Sequence, residues 1–224
     1  MKYTSCIHLE HGLTFFSTSV LVCCISSHGG GGNIMQIENY NGELIDWDDF
    51  FKKRNELRLQ AKNGIIHPQC EGCYYLKEQE WNEDNYIDEV LIGHFTHCNC
   101  NCIYCYTEKD KKFFNANKTY NIYPVIKDMI EKGILSKKST ITFGGGEPTI
   151  LKEFEELVHL LLDYGVQNIR IHSDGIKYSS AIEKGLQMGK ITLITSVDSS
   201  SKKIYEEIKQ VQCYDKVWEN LKKY

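Results

Sequence analysis

Short β-branched segments alternate with helical segments from Val90 onward, and this alternation is the strongest constraint on the fold. The segments VLIGHFT, STITF, NIRIH and ITLITSV begin at Val90, Ser139, Asn168 and Ile191, and their composition is typical of buried strands. Helical segments separate them, for example LKEFEELVHLLLDYG, which has apolar residues at helical spacing and ends at Gly165. Four strands that alternate with helices predict an α/β fold of parallel β/α units.

The first 85 residues have a different character and predict a small, cysteine-rich α+β domain before the main one. The apolar stretch 13–25 predicts a β-hairpin, because Glu10 flanks it and no cleavage site for a signal peptide follows. Its 13 residues are also fewer than the roughly 20 that span a bilayer. Asp46 and the pair Asn63-Gly64 delimit a helix, and the acidic stretch 77–89 predicts a solvated connector. We therefore expect domains at 1–85 and 86–224.

Ten cysteines are a high count for 224 residues. They are Cys6, Cys23, Cys24, Cys70, Cys73, Cys98, Cys100, Cys102, Cys105 and Cys213. Their grouping favours metal binding over disulfides in a reducing compartment. The 26 basic and 30 acidic residues are intermixed, with a formal net charge of −4, so no basic stripe is available for nucleic acid. We expect a cytoplasmic metal-binding protein with no nucleic-acid or membrane partner.

Cys98, Cys102 and Cys105 have the spacing C-x3-C-x2-C directly after the first strand of the β/α series. In β/α folds the chemistry gathers at the carboxyl ends of strands. Three thiolates leave one iron of a [4Fe-4S] cluster without a protein ligand, because such clusters ordinarily take four. Zinc stays open as an alternative, since His94 and His97 lie nearby.

Two further cysteines lie outside this spacing. Cys100 falls between the cluster positions and is interpreted as a bystander thiol, with the alternative that it replaces a neighbouring ligand. Cys213 stands alone and is interpreted as a structural, half-buried cysteine.

Two motifs resemble those of the radical S-adenosylmethionine (SAM) enzymes. CNCNCIYC, with Tyr104 before its last cysteine, resembles the cluster motif, and FGGGEPTI at 143–150 resembles the GGEP motif after the second strand. The resemblance implies a TIM-like barrel, a [4Fe-4S] cluster on the three cysteines and SAM at the free iron. The SAM-binding residues that it implies are Tyr104, Gly144, Gly145, Gly146, Glu147 and Pro148. Glycines also suit a close approach of the backbone to a ligand.

Polar residues at two further strand ends fit the same family. The resemblance implies that Ser173, Asp174, Ser196 and Asp198 contact the ribose and the methionine carboxylate of SAM. An alternative needs no ligand, because serine and aspartate are also favoured as helix caps.

The cysteines near the N-terminus resemble the auxiliary-cluster domains called SPASM or twitch, although those normally follow the radical SAM core. Cys6, either Cys23 or Cys24, and the pair Cys70 and Cys73 are the expected ligands of a second [4Fe-4S] cluster. A structural zinc knuckle is the alternative, because four thiolates also suit a closed zinc site.

The resemblance implies an enzyme that cleaves SAM reductively and starts radical modification of a substrate. By the same analogy a ribosomally made peptide is the leading substrate, with a protein or a carbohydrate next. A flavodoxin or ferredoxin would donate the electron. A full family core has six β/α units and four are expected here, so we expect either a fragment of a longer enzyme or a core completed by a partner. The alternative function is an inactive iron-sulfur or zinc module that acts as a scaffold or partner subunit.

Overall fold

A mixed β-sheet forms the frame of the molecule. The computed structural model describes residues 2–23, 34–105 and 119–224, and within these ranges seven strands form the sheet. In spatial order they are β4 (Gln36–Glu38), β3 (Ser19–Leu21), β2 (Gly12–Phe16), β6 (Ile87–Gly93), β7 (Leu135–Phe143), β8 (Asn168–His172) and β9 (Ile191–Ile194). A separate antiparallel pair joins β1 (Lys2–Ser5) and β5 (Lys77–Glu80).

Most of the sheet is parallel, as the alternation in the sequence predicts. The strands β2, β6, β7, β8 and β9 are successive parallel neighbours, whereas β3 and β4 pair antiparallel on the outer side of β2. The chain is therefore an α/β protein. Among the described residues β4 and β9 are the edges of this open sheet, so a partial barrel stays a prediction.

The helices of the described ranges alternate with the parallel strands after β6. They are α1 (Ile7–His11), α2 (Trp47–Lys62), α3 (Tyr123–Glu131), α4 (Phe154–Tyr164), α5 (Ser180–Gln187), α6 (Lys202–Lys209) and α7 (Tyr214–Leu221). Short 3-10 turns span Pro68–Cys70 and Pro148–Ile150. None of these helices combines the length and the apolar character that crossing a membrane requires.

Local sequence accounts for the helix ends that the sequence predicts. Asp46 caps α2 by accepting a hydrogen bond from the Asp49 N–H at 3.1 Å. At the C-terminal end of α4, Gly165 takes the left-handed conformation with φ of 99°. This conformation costs a residue with a Cβ more than it costs glycine. The apolar face of α4 packs on the sheet, where Leu161 and Phe143 are fully buried.

The N-terminal segment joins the main sheet, which differs from the expected separate domain at 1–85. The predicted hairpin is present as β2 and β3, but β2 also pairs in parallel with β6 over Gly12–Phe16 and Glu89–Gly93. One hydrophobic core includes Phe15 of the hairpin and Ile92 of β6. Every residue of β2 is buried, as expected of a strand covered on both faces. The sheet therefore continues across residue 85, and the functional division there stays a prediction.

Candidate functional site

The cysteines at 98–105 lie in a loop that follows β6, which we call the open cysteine loop. The Asn101 N–H donates to the Lys209 carbonyl at 3.0 Å, and the Ile103 N–H donates to the Ile208 carbonyl at 3.1 Å. These carbonyls belong to the last turn of α6, where helical carbonyls lack partners within the helix. The loop is thus fastened to the end of α6 by its own backbone.

The three thiols of the predicted cluster motif are accessible. Cys98 is exposed, Cys102 and Cys105 are half-buried, and no disulfide joins the cysteines of the described residues. Burial raises the pKa of Cys102, the charge of Lys209 opposes that rise, and the negative charges of Cys98 and Cys105 add to it. The structure therefore brings the three predicted ligands close enough to influence one another electrostatically.

Cys100 faces the same side as Cys98. Its sulfur lies 3.5 Å from Asp174 Oδ2, and the Cys98 sulfur lies 3.9 Å from the same oxygen. These three atoms are, among the described residues, the one group of potential metal ligands within 4.8 Å of one another. The hydrogen bond between the two thiols lowers the pKa of Cys98 and raises that of Cys100. The alternative that Cys100 replaces a neighbouring ligand therefore stays open.

The glycine motif after β7 packs against the segment that leads into the open cysteine loop. Gly145 has φ of 95°, and a Cβ there would lie 2.6 Å from the Phe95 carbonyl oxygen; at Gly146 it would lie 2.2 Å from the His97 carbonyl oxygen. The Gly146 N–H also donates to the Phe95 carbonyl at 3.0 Å. Two of the glycines thus have a structural reason that sequence analysis did not give. A Cβ at Gly144, by contrast, would meet only the Leu91 side chain, at 3.5 Å.

Glu147 connects the ends of β7 and β8. Its buried carboxylate accepts hydrogen bonds from the Thr149 hydroxyl at 2.6 Å, from the Ser173 hydroxyl at 3.0 Å and from the Asp174 N–H at 2.7 Å. Pro148 begins the 3-10 turn that follows. The carboxylate therefore fixes Ser173 and Asp174, two of the residues predicted to contact SAM.

Asp174 is the acidic group that contacts the sulfurs of Cys98 and Cys100. Burial raises its pKa to about 6, and the negative charge of Glu147 contributes to the rise. Its other oxygen accepts a hydrogen bond from the Ile176 N–H at 2.9 Å, which holds the carboxylate in place at the end of β8.

The residues after β9 differ from one another. Ser196 is exposed, whereas the Asp198 carboxylate lies 2.8 Å from Lys209 Nζ and accepts a hydrogen bond from the Tyr104 hydroxyl at 3.0 Å. The Tyr104 hydroxyl also accepts a hydrogen bond from Lys209 at 2.9 Å. Sequence analysis missed Lys209, although it lies four residues after Tyr205 on the buried face of α6, and that spacing could have identified it.

Four cysteines from three segments near the N-terminus line a second site, which we call the closed cysteine cavity. Its volume is about 250 Å³, and its lining includes Cys6, Cys23, Cys70 and Cys73. Cys6 precedes α1, Cys23 follows β3, and the other two lie on a turn in which the Cys73 N–H donates to the Cys70 carbonyl at 3.0 Å. Cys24, the other candidate at that position, lies outside the described residues.

The closed cysteine cavity has more room than a single zinc ion needs. Four thiolates on one zinc, with bonds of about 2.3 Å, place their sulfurs about 3.8 Å apart. Among the described residues no three of these sulfurs fall within 4.8 Å of one another. Burial raises the pKa of Cys6 to about 12 and that of Cys70 to about 11, with a contribution from the charge of Cys23 in both cases. The sulfurs would therefore have to move closer together to bind one zinc ion.

A buried ion pair supports the segment that carries Cys6. Arg58 of α2 lies 2.8 Å from Glu10 of α1, and both side chains are almost completely buried. Arg58 and Arg54 also donate to the Glu10 carbonyl, at 2.5 and 3.3 Å. The ion pair therefore joins α1 to α2 directly beside the closed cysteine cavity.

The two cysteine sites lie at opposite ends of the sheet. In the parallel pair of β2 and β6, Phe16 and Gly93 mark the carboxyl end, and the open cysteine loop continues from there. Because β3 runs antiparallel to β2, the chain has returned to the level of Gly12 by the time it reaches Cys23. The rise along β2 from Gly12 to Phe16 alone separates the two ends by about 13 Å.

The geometry of the open cysteine loop and the glycine motif agrees with the family comparison. The family described as the Radical SAM superfamily matches residues 92–224. This match covers more than half of the chain, so the protein belongs to the radical SAM superfamily.

Curated relatives share part of this chain. A probable GTP 3',8-cyclase of Sulfurisphaera tokodaii is 31% identical over 137 residues, which are 61% of this chain and 42% of that protein. A 7,8-dihydro-6-hydroxymethylpterin dimethyltransferase of Methanocaldococcus jannaschii is 31% identical over 178 residues, 74% of this chain and 34% of that protein. The chain therefore spans less than half the length of either relative. Among solved structures, Streptococcus suis SuiB is 13% identical with a TM-score of 0.44, over 93% of this chain and 51% of SuiB.

Proposed function

We propose that this protein is a radical SAM enzyme that binds a [4Fe-4S] cluster on Cys98, Cys102 and Cys105. The observation that carries the proposal is the open cysteine loop itself, which offers three accessible thiols at the carboxyl end of parallel strands. The fixed acidic and hydroxyl groups of the neighbouring strand ends surround it. Three protein thiolates suit a cluster that keeps one iron for an exchangeable ligand.

The residues around the loop suit the binding of SAM. We assign the amino group of SAM to the backbone at 144–146 and its polar contacts to Ser173, Asp174 and Ser196, with Tyr104 beside the cluster. Glu147 holds two of these groups in place through the Ser173 hydroxyl and the Asp174 N–H. Asp198 lies next to this group, although its carboxylate already contacts Tyr104 and Lys209.

A [4Fe-4S] cluster bound here would pass one electron to SAM, so that the S–C5' bond breaks to give methionine and a 5'-deoxyadenosyl radical that takes a hydrogen atom from the substrate. The residues of this chain provide the frame for that reaction. Backbone hydrogen bonds from Asn101 and Ile103 hold the cysteine loop, and the glycine motif lets the end of β7 approach it closely. A rigid site of this kind orients the reactants at little entropic cost.

We further propose that the closed cysteine cavity holds a second [4Fe-4S] cluster, with Cys23 as the ligand in preference to Cys24. The support is that Cys23 lines the cavity together with Cys6, Cys70 and Cys73, and that no three of these described sulfurs lie within 4.8 Å of one another, as a zinc site would require. Because the cavity lies at the opposite end of the sheet, an electron-relay or structural role suits it better than direct contact with the substrate.

We propose a peptide or protein as the substrate, a flavodoxin or ferredoxin as the electron donor and the cytoplasm as the location. The resemblance of the N-terminal cysteines to auxiliary-cluster segments supports the substrate class. The curated relatives are named for reactions on GTP and on a pterin, so both compounds belong in a substrate panel. Consumption of either one, coupled to 5'-deoxyadenosine, would replace the peptide proposal.

The direct test measures 5'-deoxyadenosine after anaerobic reconstitution, reduction with dithionite and addition of SAM. We expect the wild-type chain to bind about eight irons and to form 5'-deoxyadenosine, and the triple variant Cys98→Ala, Cys102→Ala, Cys105→Ala to bind about four and to form none. Cys213→Ala is the matched control and should keep its full iron content. A wild-type chain that is full of iron but forms no 5'-deoxyadenosine would favour the inactive scaffold, and zinc in place of iron would favour the zinc module.

A further inference from the structure

Lys209 is a buried cation beside the open cysteine loop. Its side chain is 4% exposed, and its ammonium contacts Asp198 at 2.8 Å and the Tyr104 hydroxyl at 2.9 Å. The ammonium also lies 5.5 Å from the ring centroid of Tyr104 and 5.6 Å from that of Tyr205. Burial opposes the charged form of Lys209, but its contacts with Asp198 and Tyr104 outweigh that effect and raise its pKa. The residue therefore carries its charge at every physiological pH.

The backbone of the same residue holds the loop that binds the cluster. The Lys209 carbonyl accepts the Asn101 N–H at 3.0 Å. The helix ends here because Gln210 takes a left-handed conformation with φ of 56°, which leaves the last carbonyls of α6 available to the loop. The ammonium and the carbonyl of Lys209 thus contact two points on either side of Cys102.

Among the described residues, Lys209 shares the surroundings of the open cysteine loop with the carboxylates of Asp174 and Asp198. The Lys209 ammonium donates to the hydroxyl of Tyr104, the residue before Cys105, and its carbonyl accepts the N–H of Asn101, the residue before Cys102. The Asp174 carboxylate lies 3.9 Å from the Cys98 sulfur and 3.5 Å from the Cys100 sulfur. A cluster that accepts an electron gains negative charge, so a cation nearby stabilises its reduced form and a carboxylate nearby destabilises it.

We propose that Lys209 and Asp198 together set the reduction potential of the cluster bound by Cys98, Cys102 and Cys105. Lys209 raises the potential through its buried charge, and Asp198 lowers it by partly neutralising that charge. Lys209 is in this sense a positioning residue that acts on the cluster through the protein. The inference rests on the proposed function, because it requires a redox-active cluster on these cysteines.

The test is a redox titration of the anaerobically reconstituted full chain, monitored by EPR in the absence of SAM. We expect Lys209→Met to shift the midpoint potential to a more negative value and Asp198→Asn to shift it to a more positive value. Lys209→Arg should restore the wild-type potential, because it keeps the charge. Tyr104→Phe removes a hydrogen bond without changing the charge, so its shift should be smaller than those of Lys209→Met and Asp198→Asn.

Iron and sulfide content per chain separates the possible failures. If the wild-type chain binds no iron at the open cysteine loop, the proposed function fails. If the variants are fully loaded and their potentials equal that of the wild type, the inference fails while the proposed function stands. If Lys209→Met and Asp198→Asn shift the potential in the same direction, the cause would be loosening of the loop, and this result would also overturn the inference. If Lys209→Met does not hold its cluster, Asp198→Asn decides, because it retains the cation: a positive shift supports the inference and an unchanged potential overturns it.

Discussion

The closed cysteine cavity and the open cysteine loop both consist of cysteines, but they differ in how accessible their thiols are. In the cavity, Cys6, Cys23 and Cys70 are between 5 and 8% exposed, and their surroundings come from segments far apart in the sequence. In the loop, three cysteines within eight residues remain accessible. An enclosed set of four thiols suits a group that needs no further ligand, whereas an open set of three leaves a position for a small molecule. Accessibility, more than cysteine count, distinguishes the two roles.

The largest expected effect is the selective loss of one site. Replacing Cys6 and Cys70 with alanine should lower the iron content by about half, because only the closed cysteine cavity loses its ligands. Formation of 5'-deoxyadenosine should persist, since the proposed SAM site lies at the other end of the sheet. Iron analysis and product assay on the same preparation check this prediction. Loss of the SAM-responsive EPR signal in this variant would show that the two sites are not separable.

The support of the closed cysteine cavity should be sensitive to loss of its ion pair. Arg58→Met leaves the Glu10 carboxylate buried and without its charged partner, which typically costs about 3–5 kcal/mol of unfolding free energy. Urea denaturation measures the change. Lys53→Met is the matched control, because it breaks an exposed ion pair with Asp49, and such pairs contribute little. Equal effects of the two variants would contradict a structural role for the buried pair.

The open cysteine loop should be sensitive to the glycine that packs against it. Gly146→Ala places a Cβ 2.2 Å from the His97 carbonyl oxygen, and such overpacking costs about 1–3 kcal/mol or more. We expect a lower thermal midpoint and less iron at the loop. Gly144→Ala is the control, because the nearest atom is on the Leu91 side chain at 3.5 Å. If both variants keep the wild-type midpoint, the close packing is not required.

The smallest expected effect is a pH dependence near the closed cysteine cavity. Burial lowers the pKa of His11, whose ring stacks on Tyr86 at 4.4 Å. The folded state thus binds a proton less readily than the unfolded state, so stability is full above pH 6.5 and falls as the pH drops below it. Between pH 7.5 and 6 the loss should stay below about 1 kcal/mol. His11→Phe should show a smaller pH dependence in urea denaturation; an unchanged dependence would assign it to other groups.

Much of the fold follows from local signals in the sequence. The caps at Asp46 and Gly165 and the strand at Asn168–His172 lie where the sequence predicts them, because short-range backbone preferences determine them. The prediction of a solvated connector at 77–89 is wrong at both ends, because Lys77–Glu80 form β5, which pairs with β1, and β6 begins at Ile87, which is fully buried. The side chains of β5 are all exposed, so this strand depends on a distant partner and leaves no hydrophobic pattern to read.

The candidate sites likewise combine features that local sequence predicts with features that depend on distant segments. The three cysteines of the loop are neighbours in the sequence, so spacing alone predicts their proximity. The parallel pairing of β2 with β6 joins segments more than 70 residues apart, and no local pattern encodes it. The tight packing of Gly146 on His97 and the partners of Lys209 likewise depend on how separate strand and helix ends meet.

The enclosure of Cys6, Cys23 and Cys70 has a consequence for the order in which the protein matures. Iron and sulfide can be delivered to the loop at 98–105 after the chain has folded, because its thiols face the surface. In the cavity, by contrast, Cys6, Cys23 and Cys70 are almost completely buried where α1, β3 and the turn at 68–73 meet. We therefore expect the inner cluster to be inserted while the N-terminal segments are still folding, and the outer one to be loaded, lost and reloaded on the finished protein.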